Sequence, residues 1–298
     1  MAWLLGALAA VSALAQEPKR IDYSPVLMFN QRLYFGSLKK PKALAFDKKN
    51  AELWVADAGD AMISIFTPIG TDLYSFGSRE LIKNPTRIAL TSNGGVIVLD
   101  ADNAKLRLFN YRGVFVKDLV FPALGEKPVI GAVRCDEDGN LYIAENRTGQ
   151  IFVFRLDGTL KFQFGSHGFE DGQFQSVCGI AIDSNGDIYV ADQRGVAVQR
   201  FDHEGNFVKG WGAHEMGSMN FSLPSGIAVD SKHRVIVSDE LRHQVKVFDP
   251  EGHLLAIFGG LGDGRGQLSF PTDVCVDDRD RVYVSERNTD RVQIFETK

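Results

Sequence analysis

Apolar residues in this chain fall in short runs separated by turn-forming clusters, and the pattern is cleanest between Leu223 and Gly259. Four runs follow one another there: Gly226-Ile-Ala-Val-Asp230, Val235-Ile-Val-Ser-Asp239, Gln244-Val-Lys-Val-Phe248 and His253-Leu-Leu-Ala-Ile-Phe258. Each is rich in β-branched or aromatic residues and is bounded by turn chemistry such as Asp230-Ser-Lys-His233 or Asp249-Pro-Glu-Gly252. Runs this short, with no apolar period of helical length, predict four antiparallel strands joined by tight turns, here called a, b, c and d.

The unit recurs. The acid closing strand b stands at Asp57, Asp100, Glu145, Asp192, Asp239 and Glu286, with spacings of 43, 45, 47, 47 and 47 residues. A period of that length marks propellers and related repeat architectures. Strand c is equally regular, from Ile63-Ser-Ile-Phe66 to Val292-Gln-Ile-Phe295. Strand d follows the first five copies, but the sixth stops at Phe295-Glu-Thr-Lys298. Near the other terminus Leu33-Tyr-Phe-Gly-Ser37, preceded by Val26-Leu-Met-Phe29, resembles Leu73 to Ser78. A ring closed by this N-terminal segment would pair an edge otherwise open to aggregation. The expectation is an all-β protein: a single six-bladed β-propeller of four-stranded antiparallel blades over 26–298, with 26–37 supplying the last strand of blade six.

A run of the Gly-Ile-Ala-Val-Asp type, led by a Pro in the last two copies, a b strand ending in an acid, a polar residue in strand c and, in the first two copies, a glycine-rich exit appear in Phe174 to Gly212, Leu223 to Gly259 and Phe270 to Phe295. This motif resembles the NHL-repeat family. The resemblance implies a propeller fold but no single activity, because related repeats serve as binding modules, sensor domains and one amidating lyase. In that lyase histidines hold zinc, and the matching positions here are Gln173, Asn220 and Gln267. None offers the imidazole that zinc prefers, so the resemblance does not carry the lyase chemistry with it.

The opening MAWLLGALAAVSALAQ has a short apolar run followed by Ala13-Leu14-Ala15, the form of a signal peptide over 1–15, with a linker over 16–25. The run is shorter than the roughly twenty residues that span a bilayer. The expected location is therefore secreted or periplasmic, with no membrane span after signal removal. The net charge of -5 argues against a nucleic-acid partner, whose footprint is basic. Three cysteines, Cys135, Cys178 and Cys275, lie in a strands of different repeats without a C-x-x-C spacing, and read as small buried hydrophobes.

Most candidate motifs have a plainer reading. The six acids at the ends of the b strands are expected to accept backbone N–H bonds in the b-to-c turn. His214-Glu-Met-Gly-Ser218 lacks the second histidine of a zinc helix. Asp183-Ser-Asn-Gly-Asp187 has Ile188 where a calcium loop needs glycine. Gly259 to Gly266 precedes a strand rather than a helix, and is expected to be a flexible connection between blades. Asn146-Arg-Thr148 and Asn220-Phe-Ser222 have the form of glycosylation sequons. No metal or cofactor is expected.

One asymmetry survives. The b-to-c turns of blades three to six carry Arg147, Arg194, Arg242 and Arg287, where blades one and two carry Asp60 and Asp102. Long d-to-a connections on the same face add Phe169, His214 and Met216. Loops on one face of a rigid scaffold are where binding resides, and Arg pairs with carboxylates through forked bonds. The leading expectation is an exported, non-catalytic binding or scaffold module that recognises a protein, or is a subunit of an envelope or extracellular complex. The alternative is a metal-dependent lyase or lactonase-type hydrolase using the central channel.

Overall fold

Short β-branched runs punctuated by turns fold as their pattern dictates: each repeat forms one four-stranded antiparallel sheet in the computed structural model, which describes residues 21–214 and 217–298. Blade one runs Pro41–Asp47, Glu52–Asp57, Met62–Phe66 and Asp72–Phe76. Blade two comprises Pro85–Leu90, Val96–Asp100, Lys105–Phe109 and Phe115–Leu119, and blade three Ile130–Cys135, Asn140–Glu145, Gln150–Arg155 and Leu160–Phe164. Blade four is Val177–Ile182, Ile188–Asp192, Val198–Phe201 and Phe207–Trp211, and blade five Pro224–Val229, Val235–Asp239, Gln244–Phe248 and Leu254–Gly259. In blade six, Pro271–Val276, Val282–Glu286 and Arg291–Thr297 are completed by Tyr23–Phe29 from the other end of the chain.

The closing strand is N-terminal, as expected, but its bounds need correcting. Tyr23 pairs with Thr297 and Phe29 with Val292, with a register shift between Pro25 and Leu27. Leu33 to Ser37 does not pair with blade six; it forms the tip and return of a hairpin, Gln31–Arg32 against Gly36–Ser37. Phe29 sits opposite Val292 as Phe76 sits opposite Ile63, and each ring packs on a left-handed turn glycine of the following blade, Gly70 and Gly113. That shared role makes Phe29, rather than Phe35, the counterpart of Phe76. The likeness of Leu33–Ser37 to Leu73–Ser78 is local. The linker expected over 16–25 thus enters a strand at Tyr23, and the expected signal peptide lies outside the described residues.

Burial follows the ring. Each sheet has two apolar faces, and each packs on its neighbour's. Leu44, Leu53, Val55 and Phe66 of blade one meet Cys275, Tyr283, Val292 and Ile294 of blade six, so the chain ends are joined by a buried core as well as by a ladder. Each fully buried side chain of this size contributes about 1.5–3 kcal/mol relative to exposure.

The a strands line the axis, and each shifts register near its start, between Pro41 and Ala43 in blade one and at matching positions elsewhere. In blades four to six the residue at the shift reaches the next blade: Cys178 Sγ lies 3.3 Å from Pro224 O, Ser225 Oγ donates to Pro271 O at 2.8 Å, and Thr272 Oγ1 to Pro41 O at 2.7 Å. In blade one this position is Lys42, which bonds to no neighbouring carbonyl among the described residues.

Candidate ligand-binding face

The acids that close the b strands are all buried: Asp57, Asp100, Glu145, Asp192, Asp239 and Glu286. They cap backbone N–H groups, but the b-to-c turn is only part of their work. Every one accepts from the incoming d-to-a connection: Asp57 from Lys39, Asp100 from Lys83 and Asn84, Glu145 from Val129. Asp192 accepts from Gln175 and Ser176, Asp239 from Ser222 and Leu223, and Glu286 from Ser269. Glu145 and Asp192 also hold b-to-c turn amides, those of Thr148 and Gly195. Each acid therefore fastens the loop that enters its own blade, which explains its presence in every repeat without a ligand.

Strand c supplies the complementary group. Lys246, fully buried, lies 3.3 Å from Asp239, donates to Asn220 O, and sits 4.3 Å above the Phe221 ring. Burial lowers its pKa, and Asp239 opposes that shift. Gln199 and Gln293 donate from the same strand position to Gln173 O and Gln267 O. Blade one has Ser64 there, too short to reach, and Arg32 from the N-terminal hairpin takes over, 3.0 Å from Asp57.

Gln173, Asn220 and Gln267 are loop staples. Their side-chain oxygens accept from Glu170 N, Ala213 N and Gly264 N, each closing its own d-to-a connection. The glycine-rich stretch from Gly259 to Gly266, expected to be flexible, is instead tied down: Arg291 donates to the carbonyls of Asp263, Gly264 and Gln267, and Gln293 accepts from Gly266 N. Asp183 accepts from Asn185 N and Asp187 N, as a hairpin turn requires. Asn146 bonds Val177 through both its amide atoms, so the first sequon joins blades three and four. Among the described residues no three His, Cys, Asp or Glu side chains gather as a metal centre would need.

The arginines singled out from sequence lie on one face, spread around its rim. Arg147 donates to Lys127 O at 2.6 Å. Arg242 bonds Ser222 Oγ and Gly217 O and lies 3.6 Å from Asp239. Arg287 pairs with Glu240 at 2.7 Å and covers the Phe270 ring. Arg194 is exposed, and its guanidinium has no partner among the described residues. Phe169 is 67% exposed at the tip of its loop and His214 is exposed, while Met216 lies outside the described residues.

What converges on this face is a different set. A cavity of about 500 Å³ between blades six, one and two is lined by Lys40, Lys42, Arg79, Lys83 and Arg287, with Ala58, Gly59, Asn84 and a single acid, Asp102. The amino groups of Lys40, Lys42 and Lys83 have no hydrogen-bond or ion-pair partner among the described residues. Burial and then Arg287 push the Lys42 pKa down, Glu240 acts against them, and Arg87 and Lys40 add to the lowering. The acids that make blades one and two look negative in sequence are already engaged. Asp60 holds Arg32 at 2.6 Å and Lys39 at 3.1 Å, and Asp102 accepts from Asn84. Sequence reasoning missed Lys42. The signal was its place where blades four to six put Cys178, Ser225 and Thr272, visible only once the register shift is known.

A separate, small cavity of about 30 Å³ lies among the a strands, lined by Arg87, Arg134, Cys178, Gly179 and Asp273. Burial raises Asp273 to about 6, against the Leu44 N–H it accepts and the nearby Arg87. Burial likewise pushes Cys135 and Cys178 up to about 12, and all three thiols are free.

The repeat count, the ring and the strand motif meet in comparisons with known families. A family model described as NHL repeat matches residues 221–248 and 268–295, and one described as 6-bladed beta-propeller matches 129–211. The chain folds as a six-bladed β-propeller and carries NHL repeats. Among solved structures this NHL propeller is similar to a streptogramin B lyase, at TM-score 0.66 and 11% identity over 91% of this chain and 98% of the other. It is also similar to a Bacteroides thetaiotaomicron protein of unknown function, at TM-score 0.67 and 14% identity over 94% and 73% of the two chains. Likeness at this identity concerns fold alone. No curated protein matches the sequence.

Proposed function

We propose that this NHL propeller is an exported, non-catalytic binding module that takes an anionic ligand in the basic cavity between blades six, one and two. The observation that carries the reading is the convergence of three unpaired lysines and two arginines on one concavity, with Asp102 the sole acid. Cations left without partners inside a cleft concentrate field and favour anions. Lys42 deepens the case. Its position in blades four to six builds contacts around the ring, and here it presents a half-buried lysine instead.

The test is fluorescence anisotropy of a labelled oligoglutamate peptide against the wild type, Lys42→Met plus Lys83→Met, and Arg194→Glu plus Arg242→Glu. The cavity pair is expected to weaken binding about ten-fold, with stability unchanged. The rim pair lies on other blades and is expected to change affinity less. Equal affinity in wild type and cavity variant would remove the cavity from consideration.

A further inference from the structure

The d-to-a connection from blade six to blade one is unlike the others. It is a hairpin whose tip presents three consecutive large apolar side chains, Leu33, Tyr34 and Phe35, at 73%, 83% and 48% exposure. Exposed apolar residues scattered singly need no explanation, but a run of three held rigidly in water does. Rigidity comes from Arg32. Its guanidinium is buried and donates to the carbonyls of Phe35, Gly36 and Ser37 while pairing with Asp57 and Asp60. Leu33 N donates to Asp72 Oδ2 at the start of strand d in blade one, beside exposed Leu73 and Tyr74. The hairpin is thus fastened at its base and along one side.

The base of this hairpin adjoins the basic cavity through one turn. Asp60 joins Arg32 to Lys39, and the preceding residue, Gly59, lines the cavity and accepts from Arg79 at 2.6 Å. Gly59 N donates to Lys39 O, and a Cβ at Gly59 would meet Lys39 O at 2.4 Å, so the turn and the hairpin exit are in direct contact. An apolar tip and a cationic cleft therefore lie side by side on blade one, and neither is satisfied within the described residues.

We infer that the two form one composite site for an acidic peptide segment of a partner protein, its carboxylates in the cavity and its apolar side chains on Leu33, Tyr34 and Phe35. This rests on the reading of the cavity as an anion site. Charge complementarity selects the acidic partner. The pre-ordered hairpin lowers the entropy lost on docking, and aromatic residues are the types that dominate interface energies. An anionic bilayer offers the same two chemistries. It fits less well, because Lys42 is recessed rather than presented on a plane.

The experiment uses the full chain and three probes: a labelled peptide with an acidic half and a Leu/Phe half, the same peptide with serines replacing the apolar residues, and vesicles rich in phosphatidylserine. The variants are Leu33→Ser with Tyr34→Ser and Phe35→Ser, and separately Lys42→Met with Lys83→Met. The expected result is that the amphipathic peptide binds about ten-fold tighter than its serine version, and that the hairpin variant abolishes this difference while still binding the serine peptide. The cavity variant weakens both peptides. Two peptides of equal affinity, both weakened by the cavity variant, would overturn the hairpin's role and leave the cavity. No effect of the cavity variant on either peptide would overturn the cavity itself. Vesicle binding lost in the hairpin variant, with no preference between the peptides, would replace the peptide by a membrane surface. Thermal unfolding of the hairpin variant, expected to match the wild type because the tip is exposed, verifies that any loss is local.

Discussion

Replacing Arg32 by Met removes the cation that serves Asp57, a role filled from strand c by Arg107 for Asp100 and by Lys246 for Asp239. Both partners of the Arg32–Asp57 pair are fully buried at 3.0 Å, so Arg32→Met leaves Asp57 to backbone N–H groups, chiefly that of Lys39 at 2.8 Å. An uncompensated buried charge costs about 3–5 kcal/mol; the surviving hydrogen bond places the expected loss near the low end, about 3 kcal/mol. Burial already raises Asp57 to about 6, and loss of Arg32 raises it further. A folded-state pKa above the unfolded value makes the fold bind the proton more tightly, so the variant is relatively more stable below the unfolded value and loses that stability as pH rises through the folded one. The assay is urea unfolding at pH 5 and pH 8, with Arg32→Met/Asp57→Asn as the partner variant. The single variant is expected to suffer less at pH 5, and the double variant to recover most of the loss at pH 8 because no charge remains buried. A loss under about 1 kcal/mol at pH 8, or a double variant no more stable than the single, would refute the assignment of Arg32 as the missing strand c cation.

Two further outcomes follow from the axis. Gly226→Ala would place a Cβ 2.2 Å from Asp273 Oδ1 and 2.7 Å from its Cα in the next blade; overpacking against backbone is expected to cost about 1–3 kcal/mol in urea unfolding, and a neutral substitution would mean that the blades can separate there. Asp273, raised to about 6 by burial, is expected to make stability fall as pH rises from about 4 to about 6, by up to about 1.4 kcal/mol per pH unit for one proton. Asp273→Asn is expected to flatten that slope, and an unchanged slope would show that other groups set it.

The architecture was legible because it is said six times. The period of the b-strand acids, the strand c consensus and the missing last strand d each constrain the same ring, and the errors of one copy are corrected by the others. The closing strand was placed too late because it is said once. Tyr23 to Phe29 contains Pro25 and a register shift, whereas Leu33 to Ser37 happens to copy the letters of Leu73 to Ser78. Letters do not report that Phe29 is the ring packed on Gly70.

The cavity was harder for another reason. Lys40 and Lys42 lie near one end of the chain and Arg287 near the other, and only ring closure makes them neighbours. Lysines carry no spacing rule, and Asp60 and Asp102 made this sector look acidic until Arg32, Lys39 and Asn84 were seen to occupy them. The arginines of blades three to six were legible as residues of one loop face. Neighbouring loops engage Arg147, Arg242 and Arg287, which a sequence pattern cannot show.

Anion binding in the cavity of blades six, one and two is tested at the residues concerned by amine acylation read by mass spectrometry. With a brief pulse of acetic anhydride near neutral pH, Lys42 is expected to react faster than exposed lysines because its amine is more readily neutral. Saturating acidic peptide is expected to protect Lys40, Lys42 and Lys83 together, and to leave Lys48 and Lys232, in the a-to-b turns of the opposite face, unchanged. Protection spread evenly over all lysines, or absent from Lys42 while the peptide is bound, would contradict it.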